Sequence, residues 1–203
     1  MFQSPVVLIT GASRGIGAAT ALYFARHGYN ICINYNTDAA SANRVATQVQ
    51  AYNVRAAVFK ADVSKESDVL ALFSYIDEVF GRLDVLVNNA GILKPQMPLF
   101  DMDAERINEL LITNVTSAFI CSREAIKRMT EGGSIVNVSS AAAKTGSPNE
   151  YLDYAASKGA MDTLTVGLAK EIAHKRIRVN SVRLGSFILI CTLMVANEIE
   201  LTD

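Results

Sequence analysis

Tyr154 and Lys158 stand four residues apart in the segment Tyr-Ala-Ala-Ser-Lys. In a helix, residues i and i+4 lie on the same face, so the ammonium of Lys158 would lie beside the phenol of Tyr154. A nearby positive charge favours the phenolate and lowers a tyrosine pKa from its ordinary value of about 10. Such a phenol can exchange a proton with an alcohol or a carbonyl oxygen near neutral pH. The same spacing also occurs on surface helices without chemistry, so the pair predicts a catalytic site only together with other motifs.

A glycine-rich turn at 10–17, with the sequence Thr-Gly-Ala-Ser-Arg-Gly-Ile-Gly, is the second segment that could do chemistry. It lies between a short apolar run and the first stretch of helix-forming residues. Glycines permit a tight turn and let the backbone approach a pyrophosphate, and the following helix offers free N–H groups and the positive end of its dipole. In this strand–turn–helix context the turn predicts a dinucleotide site. The alternative is a merely tight connection.

The elements that must position these residues alternate along the whole chain. Apolar runs and turn residues predict strands at 6–9, 31–35, 56–61, 83–87, 133–138 and 177–182. Helical patterns cover 18–27, 39–53, 65–80 with Ser64 as N-cap, 104–129 with a bend, and 151–174. Strands that alternate with helices indicate an α/β protein with a doubly wound parallel sheet, which is a three-layer arrangement.

Composition narrows the class of protein. The chain has 203 residues, 50% hydrophobic residues and a formal net charge of -1, which indicates one globular domain and no affinity for nucleic acid or an anionic membrane surface. Cys32, Cys121 and Cys191 are an odd number without a Cys-x-x-Cys pair, which favours reduced core thiols. His27 and His174 have no partner at metal-ligand spacing, so we expect no metal site. The start lacks a basic segment before an apolar one, so a cytoplasmic enzyme is expected.

Several motifs in fixed order resemble the short-chain dehydrogenase/reductase family. The glycine spacing is Gly-x-x-x-Gly-x-Gly, and the other motifs are Asp62-Val63, Asn88-Asn89-Ala90-Gly91, Asn114, Ser140, and Tyr154 with Lys158. The sequence at 137–158 resembles that of family members labelled sugar or glucose dehydrogenase-like. The resemblance implies a Rossmann-like fold and an NAD(P)-dependent oxidoreductase that interconverts an alcohol and a carbonyl of a small molecule by hydride transfer.

The resemblance also implies a cofactor site. Its phosphates would lie against the glycine-rich turn, with the residues Gly11, Ser13, Arg14, Gly15, Ile16 and Gly17. Asp62 would hydrogen-bond the adenine and Val63 would pack on it. The residues Asn88, Ala90 and Gly91 would shape the adenosine side and support the central sheet. Asp62 and the asparagine pair could instead be simple turn residues at strand ends.

In the same resemblance, Tyr154 is the general acid in reduction and the general base in oxidation. Lys158 lowers the pKa of Tyr154, and both residues contact the nicotinamide end of the cofactor, where Lys158 holds the ribose. Ser140 donates a hydrogen bond to the substrate oxygen, and Asn114 anchors a water that links Lys158 to solvent. Ser139 is the rival of Ser140. Either serine could instead cap the end of the strand, and Asn114 could instead be a polar residue that bends a helix.

The choice between NAD and NADP depends on charge near the end of the second strand. A ribose-binding acid at that end would select NAD. The chain has Asn34-Tyr35-Asn36 there and no carboxylate before Asp38. Arg14 can reach a 2′-phosphate with its two-pronged guanidinium. We therefore predict NADP rather than NAD, the alternative being that Arg14 is a solvated loop charge.

The resemblance stops after Arg183. The family continues with Pro-Gly and then Ile-x-Thr, whereas this chain continues Leu184-Gly185-Ser186 and an apolar run at 187–196, which is too short to span a bilayer. We therefore predict a domain at 1–183 that lacks the last helix and strand of the family fold, and an aberrant tail at 184–203. Synonymous codons for the tail can be chosen so that a shifted frame encodes Pro-Gly-Phe-Ile and, two residues later, Thr. This supports the hypothesis of a frameshift product.

Two functional hypotheses follow. One is an active NADP-dependent oxidoreductase; the other is an inactive, truncated remnant that retains at most nucleotide binding. The family is usually homo-oligomeric, but the tail would remove part of the surface that forms the oligomer and leave an apolar patch exposed. We therefore do not expect the usual oligomer of this chain.

Overall fold

The computed structural model of the protein describes residues 4–129 and 132–185. Within these residues, six strands form one sheet in which every neighbouring pair is parallel, in the order β3-β2-β1-β4-β5-β6. The strands are β1 Val6–Ile9, β2 Asn30–Tyr35, β3 Ala56–Lys60, β4 Val85–Asn88, β5 Ser134–Ser140 and β6 Arg178–Leu184. The predicted doubly wound α/β fold is therefore confirmed.

Helices cover the two faces of the sheet. They are α1 Gly15–Arg26, α2 Ala39–Gln50, α3 Glu66–Phe80, α4 Ala104–Leu111, α5 Ser117–Arg128, α6 Ala142–Thr145 and α7 Leu152–Glu171. Apolar residues of α1 and α2 pack on one face of the sheet, and those of α3 and α5 pack on the other. The β-strands are buried on both faces near the centre, and Leu8 and Ile9 of β1 are fully buried on opposite faces. This explains the continuous apolar runs that predicted the strands.

The strand order reverses between β1 and β4. From β1 the chain moves outward to β2 and β3, and from β4 it moves in the other direction to β5 and β6. Crossovers on the two sides diverge at such a point and leave a crevice at the carboxyl ends of the strands, where open α/β sheets bind ligands. The glycine-rich turn follows β1, and the Asn-Asn-Ala-Gly motif begins at the end of β4. The topology thus brings both motifs to one crevice.

The structure differs from the sequence prediction in a few boundaries. The helical region predicted at 104–129 with a bend ends at Arg128, and a π turn at Ile112–Thr116 divides it into α4 and α5. Ser64 does not cap α3. Lys65 occupies that position, and the Ser64 hydroxyl donates instead to Oδ1 of Asp62 at 2.6 Å, which closes a local turn.

The tail prediction falls almost entirely outside the described residues. Of 184–203, the structure describes only Leu184, the last residue of β6, and Gly185. The frameshift hypothesis stays a prediction. Within the described part of the chain, no helix combines the length and the apolar character needed to cross a membrane.

A chain of polar side chains crosses the buried centre of the sheet. Asn88 on β4 donates to Ser122 on α5 at 3.0 Å and to Oδ1 of Asn137 on β5 at 2.9 Å. Asn137 in turn donates to Thr165 on α7 at 2.9 Å. Asn137 is fully buried. These bonds join β4 and β5 to α5 and to α7, the helix that carries Tyr154 and Lys158.

Replacing Asn137 by leucine tests this network. The variant keeps a similar side-chain volume but deprives buried Asn88 of an acceptor, so we expect the free energy of unfolding to fall by about 2 kcal/mol. Urea denaturation measures this loss. The same substitution at the solvent-exposed Asn43 on α2 should change stability by less than about 0.5 kcal/mol. Equal stability of the two variants would contradict a structural role for the network.

Candidate active site

The glycine-rich turn is built for close approach of the backbone. Gly11 and Gly15 have φ angles of 63° and 56°, in the left-handed region that favours glycine. Gly17 leaves no space for a side chain, because a Cβ there would lie 2.6 Å from the carbonyl oxygen of Gly11. The helix α1 begins at Gly15, so its free N–H groups and positive dipole end lie at the turn. Ser13 and Ile16 are half-buried in the same segment, whereas Arg14 is exposed.

Two asparagines that the sequence analysis did not assign hold this turn. Asn34 at the end of β2 accepts from the Gly11 N–H at 3.1 Å and donates to the carbonyl of Ala61 at 3.0 Å. Asn89 after β4 donates to the carbonyls of Thr10 at 2.8 Å and of Gly11 at 3.1 Å. Both asparagines lie at the carboxyl ends of the two strands that flank β1, and this position was the signal from which the sequence could have identified them.

The residues predicted to line the adenosine side of the cofactor make different contacts in the structure. The carboxylate of Asp62 accepts from the backbone and the hydroxyl of Ser64, as the turn alternative requires, and Val63 is buried. Asn88 faces the interior network described above. The Ala90 N–H donates to the Thr10 hydroxyl at 3.0 Å, which joins the segment after β4 to the glycine-rich turn.

Tyr154, Lys158, Ser140 and Asn114 come together at the carboxyl ends of β4 and β5. Tyr154 and Lys158 lie on α7, and the Lys158 Nζ is 5.5 Å from the centroid of the Tyr154 ring. The same Nζ donates to the carbonyl of Val138 on β5 at 2.7 Å. A Cβ on Gly91 would lie 3.2 Å from Oδ1 of Asn114 and 3.7 Å from Nζ of Lys158. Gly91 therefore lets the Asn114 and Lys158 side chains approach the backbone after β4.

Asn114 sits in the π turn between α4 and α5. Its side chain accepts from the Ile92 N–H at 2.7 Å and donates to the Ile92 carbonyl at 3.0 Å and to the Ser157 hydroxyl at 3.2 Å. It is buried, and it joins the loop after β4 to α7. A single π turn of this kind is often found at functional sites, because it changes which backbone groups are paired within the helix.

The two candidate serines lie on opposite sides of β5. Ser139 is buried and donates to the backbone carbonyl of Lys158 at 3.2 Å. Ser140 is half-buried, its hydroxyl accepts from the Ala142 N–H at 3.2 Å, and it lies close enough to the Tyr154 phenol to oppose the rise of the phenol's pKa. Successive side chains of a strand point to opposite faces, so only one of the two can reach the phenol. The structure places Ser140 there.

Burial controls the proton affinities of the pair. Burial raises the pKa of Tyr154 above its ordinary value, and the Ser140 hydroxyl only partly opposes this. Burial also lowers the pKa of Lys158 to about 8. The net shift of the Tyr154 pKa is therefore upward, and the expectation that Lys158 lowers this pKa stays a prediction. Desolvation dominates because the phenol is partly withdrawn from water, while the ammonium lies near the ring and donates to Val138.

A sequence model of the family described as short chain dehydrogenase matches residues 5–198. The chain belongs to the short-chain dehydrogenase family. As a member, it is an oxidoreductase with the Rossmann-like fold described above, a nicotinamide cofactor and a small-molecule substrate. The family resemblance drawn from the motifs is confirmed.

Relatives of this short-chain dehydrogenase include both sequences and solved structures. The uncharacterized oxidoreductase YgfF of Escherichia coli (strain K12) is 51% identical over 185 residues, which cover 89% of this chain and 75% of that protein. The crystal structure of acetoin dehydrogenase from Enterobacter cloacae has a TM-score of 0.85 and 34% identity, over 90% of this chain and 73% of that one. Acetoin dehydrogenase YohF from Salmonella typhimurium has a TM-score of 0.85 and 32% identity over the same shares.

The lowered pKa of Lys158 predicts how the free energy of unfolding of this short-chain dehydrogenase depends on pH. The folded state disfavours the charged ammonium, so the unfolded state binds more protons between the folded pKa of about 8 and the unfolded pKa of about 10.5. Stability relative to a Lys158→Met variant should therefore rise by up to about 3 kcal/mol as the pH increases through this window.

Denaturant unfolding from about pH 7.5 to about pH 10 measures this difference, since the remaining titrating groups are common to both proteins. Lys170→Met is the matched control, because it removes an exposed lysine from the same helix. A difference between wild type and Lys158→Met that is constant with pH would show that burial does not disfavour the ammonium.

Proposed function

We propose that the protein is an NADP(H)-dependent oxidoreductase that interconverts an alcohol and a carbonyl, with Tyr154 as general acid and base. The observation that carries this proposal is the meeting of the Tyr154 phenol with the Ser140 hydroxyl and the Lys158 ammonium. They meet at the carboxyl ends of the central strands, beside a glycine-rich turn. A bound nicotinamide would supply the hydride, and the protein must supply position and a proton.

The glycine-rich turn fits the dinucleotide that such chemistry requires. The missing Cβ at Gly17 and the left-handed backbone at Gly11 and Gly15 allow a pyrophosphate to contact the backbone. The N-terminus of α1 provides N–H donors for its negative charge. Asp62 and Val63 would hold the adenine, and Asn88, Ala90 and Gly91 would support that side of the cleft. Ser13 and Ile16, in the glycine-rich turn itself, would lie against the phosphates.

The charges near β2 favour NADP over NAD. Asp38, the first carboxylate after β2, is committed to the N-terminus of α2, where it accepts from the backbone and the hydroxyl of Ser41 at 2.9 and 2.5 Å. These hydrogen bonds lower the pKa of Asp38, so it remains ionised but engaged. The amide of Asn34 faces the interior, and the exposed Arg14 can meet a 2′-phosphate.

The proton step follows from the burial of the pair. The raised pKa of Tyr154 keeps the phenol protonated at neutral pH, which is the form that gives a proton to a carbonyl oxygen. Ser140 would donate to the same oxygen and stabilise negative charge on it. In oxidation the phenolate would accept the proton. The Lys158 ammonium would then stabilise it and would also contact the nicotinamide ribose. Asn114 would connect Lys158 to solvent through a water.

Tyr154→Phe tests the role of the phenol. Fluorescence titration should show NADPH affinity close to that of the wild type, because the ring and the glycine-rich turn remain. Turnover of the best substrate should fall by at least about 100-fold, since general acid–base catalysis contributes that much or more. The substrate panel should contain acetoin, because two solved relatives are acetoin dehydrogenases, together with simple aldehydes, ketones and sugars.

Tyr75→Phe is the matched control, because Tyr75 is a half-buried tyrosine that packs on Phe59 away from the site. Turnover retained by Tyr154→Phe would contradict the proposal. Cofactor binding by the wild type without turnover of any substrate would favour the inactive remnant.

Arg14→Ala tests the choice of cofactor. Loss of a charge-assisted contact with the 2′-phosphate should weaken NADPH binding by about tenfold or more and leave NADH binding unchanged. Titration with both cofactors measures this selectivity. Arg26→Ala removes the same charge from the other end of α1 and serves as the control. Equal weakening of NADPH and NADH would show that Arg14 does not recognise the 2′-phosphate.

A further inference from the structure

Arg106 on α4 and Asp153 on α7 form an ion pair that is almost completely buried. The Nε of Arg106 donates to Oδ2 of Asp153 at 2.7 Å, and the two side chains are only 9% and 2% exposed. By comparison, the side chains of the Arg82–Asp84 pair are 39% and 27% exposed. Burial of two charges is costly, and it often stabilises a fold no better than apolar residues would. The geometry of the pair therefore needs an explanation other than stability.

Arg106 connects three segments of the chain. Its backbone N–H donates to the side chain of Asp103 at 2.8 Å, which fixes the start of α4. Its guanidinium holds Asp153 with Nε and, at 2.9 Å, the carbonyl of Pro95 with a terminal nitrogen. Pro95 belongs to the loop that follows β4. A guanidinium suits this role because its several donors point in fixed directions within one plane.

Asp153 also contacts the backbone of the next residue, Tyr154. Its second carboxylate oxygen, Oδ1, accepts from the Tyr154 N–H at 2.8 Å. This N–H lies in the first turn of α7, where backbone donors have no partner within the helix. A second bond joins the same two segments, since the Met97 N–H donates to the carbonyl of Glu150 at 2.9 Å.

We propose that Arg106 and Asp153 are positioning residues, which fix the first turn of α7 against the Pro95 loop and so hold the Tyr154 phenol beside Ser140. The inference rests on the function proposed above, in which Tyr154 transfers the proton. Misplacement of a reacting group by about 1 Å can cost about 100-fold in rate, so a fixed first turn has a direct effect on turnover. A pair that merely stabilised the fold would change the melting temperature but not the rate of the folded enzyme.

Two conservative variants of the full chain separate these roles. Asp153→Asn keeps an oxygen for the Tyr154 N–H but removes the charge that holds Arg106. Arg106→Lys keeps the charge but loses the fork that reaches both Asp153 and Pro95. For each folded variant we expect kcat to fall by about 10- to 100-fold, with the dissociation constant for NADPH within about twofold of the wild type.

Hydrogen exchange followed by mass spectrometry provides a readout that does not depend on turnover. Exchange should become faster in segments 93–98 and 150–157 and stay unchanged in the half of the sheet formed by β1, β2 and β3. Arg128→Lys is the matched control, because Arg128 forms a forked ion pair with Asp77 on α3. It should lower the melting temperature without changing kcat or the exchange of those two segments.

The outcomes distinguish this inference from the proposed function. Wild-type kcat in both folded variants would overturn the positioning role, as would faster exchange spread evenly over the whole chain. If the wild type turns over no substrate, the proposed function fails, and the exchange data alone decide. Faster exchange confined to the two segments would then support the positioning role, and unchanged exchange would overturn it.

Discussion

The pairing of β1 with β4 is the constraint on which the rest of the structure depends. Val7, Leu8 and Ile9 of β1 lie in parallel register with residues 85–87 of β4, and the crossovers diverge on either side of this pair. Helices cannot fill the space between diverging crossovers, so a crevice opens at the carboxyl ends of these strands. The glycine-rich turn and the Asn-Asn-Ala-Gly segment both start there. The location of the site is thus a consequence of strand order before any side chain is considered.

Within that crevice, irregular backbone is held by buried or half-buried asparagines. Asn34 and Asn89 hold the glycine-rich turn, Asn114 holds the loop after β4, and the Asn88–Asn137 pair joins the strands below. An asparagine side chain has both donors and an acceptor, so it can satisfy the unpaired N–H and C=O groups that a turn or strand end leaves. The loops that must accept a cofactor are therefore fixed by the protein itself.

Desolvation then sets the chemistry of the candidate pair. It raises the pKa of Tyr154 and lowers that of Lys158 to about 8, so both shifts favour the uncharged forms. At neutral pH the lysine still carries most of its charge while the phenol remains protonated. In the proposed mechanism this combination provides a proton donor next to a cation that can stabilise the phenolate left behind.

The sequence by itself determined the α/β fold, the positions of the six strands within a few residues, and the family, because buried parallel strands and a glycine-rich turn leave strong local patterns. It also placed Tyr154 and Lys158 on one helix face. The tertiary structure decided the rest. Strand parity put Ser139 and Ser140 on opposite faces of β5, with Ser140, already preferred from its motif, toward the phenol, and burial gave the Tyr154 pKa a net upward shift. The Arg106–Asp153 pair joins residues 47 positions apart, and no local pattern reports such a contact. Burial and long-range contacts depend on how the helices pack on the sheet, which only the folded chain specifies.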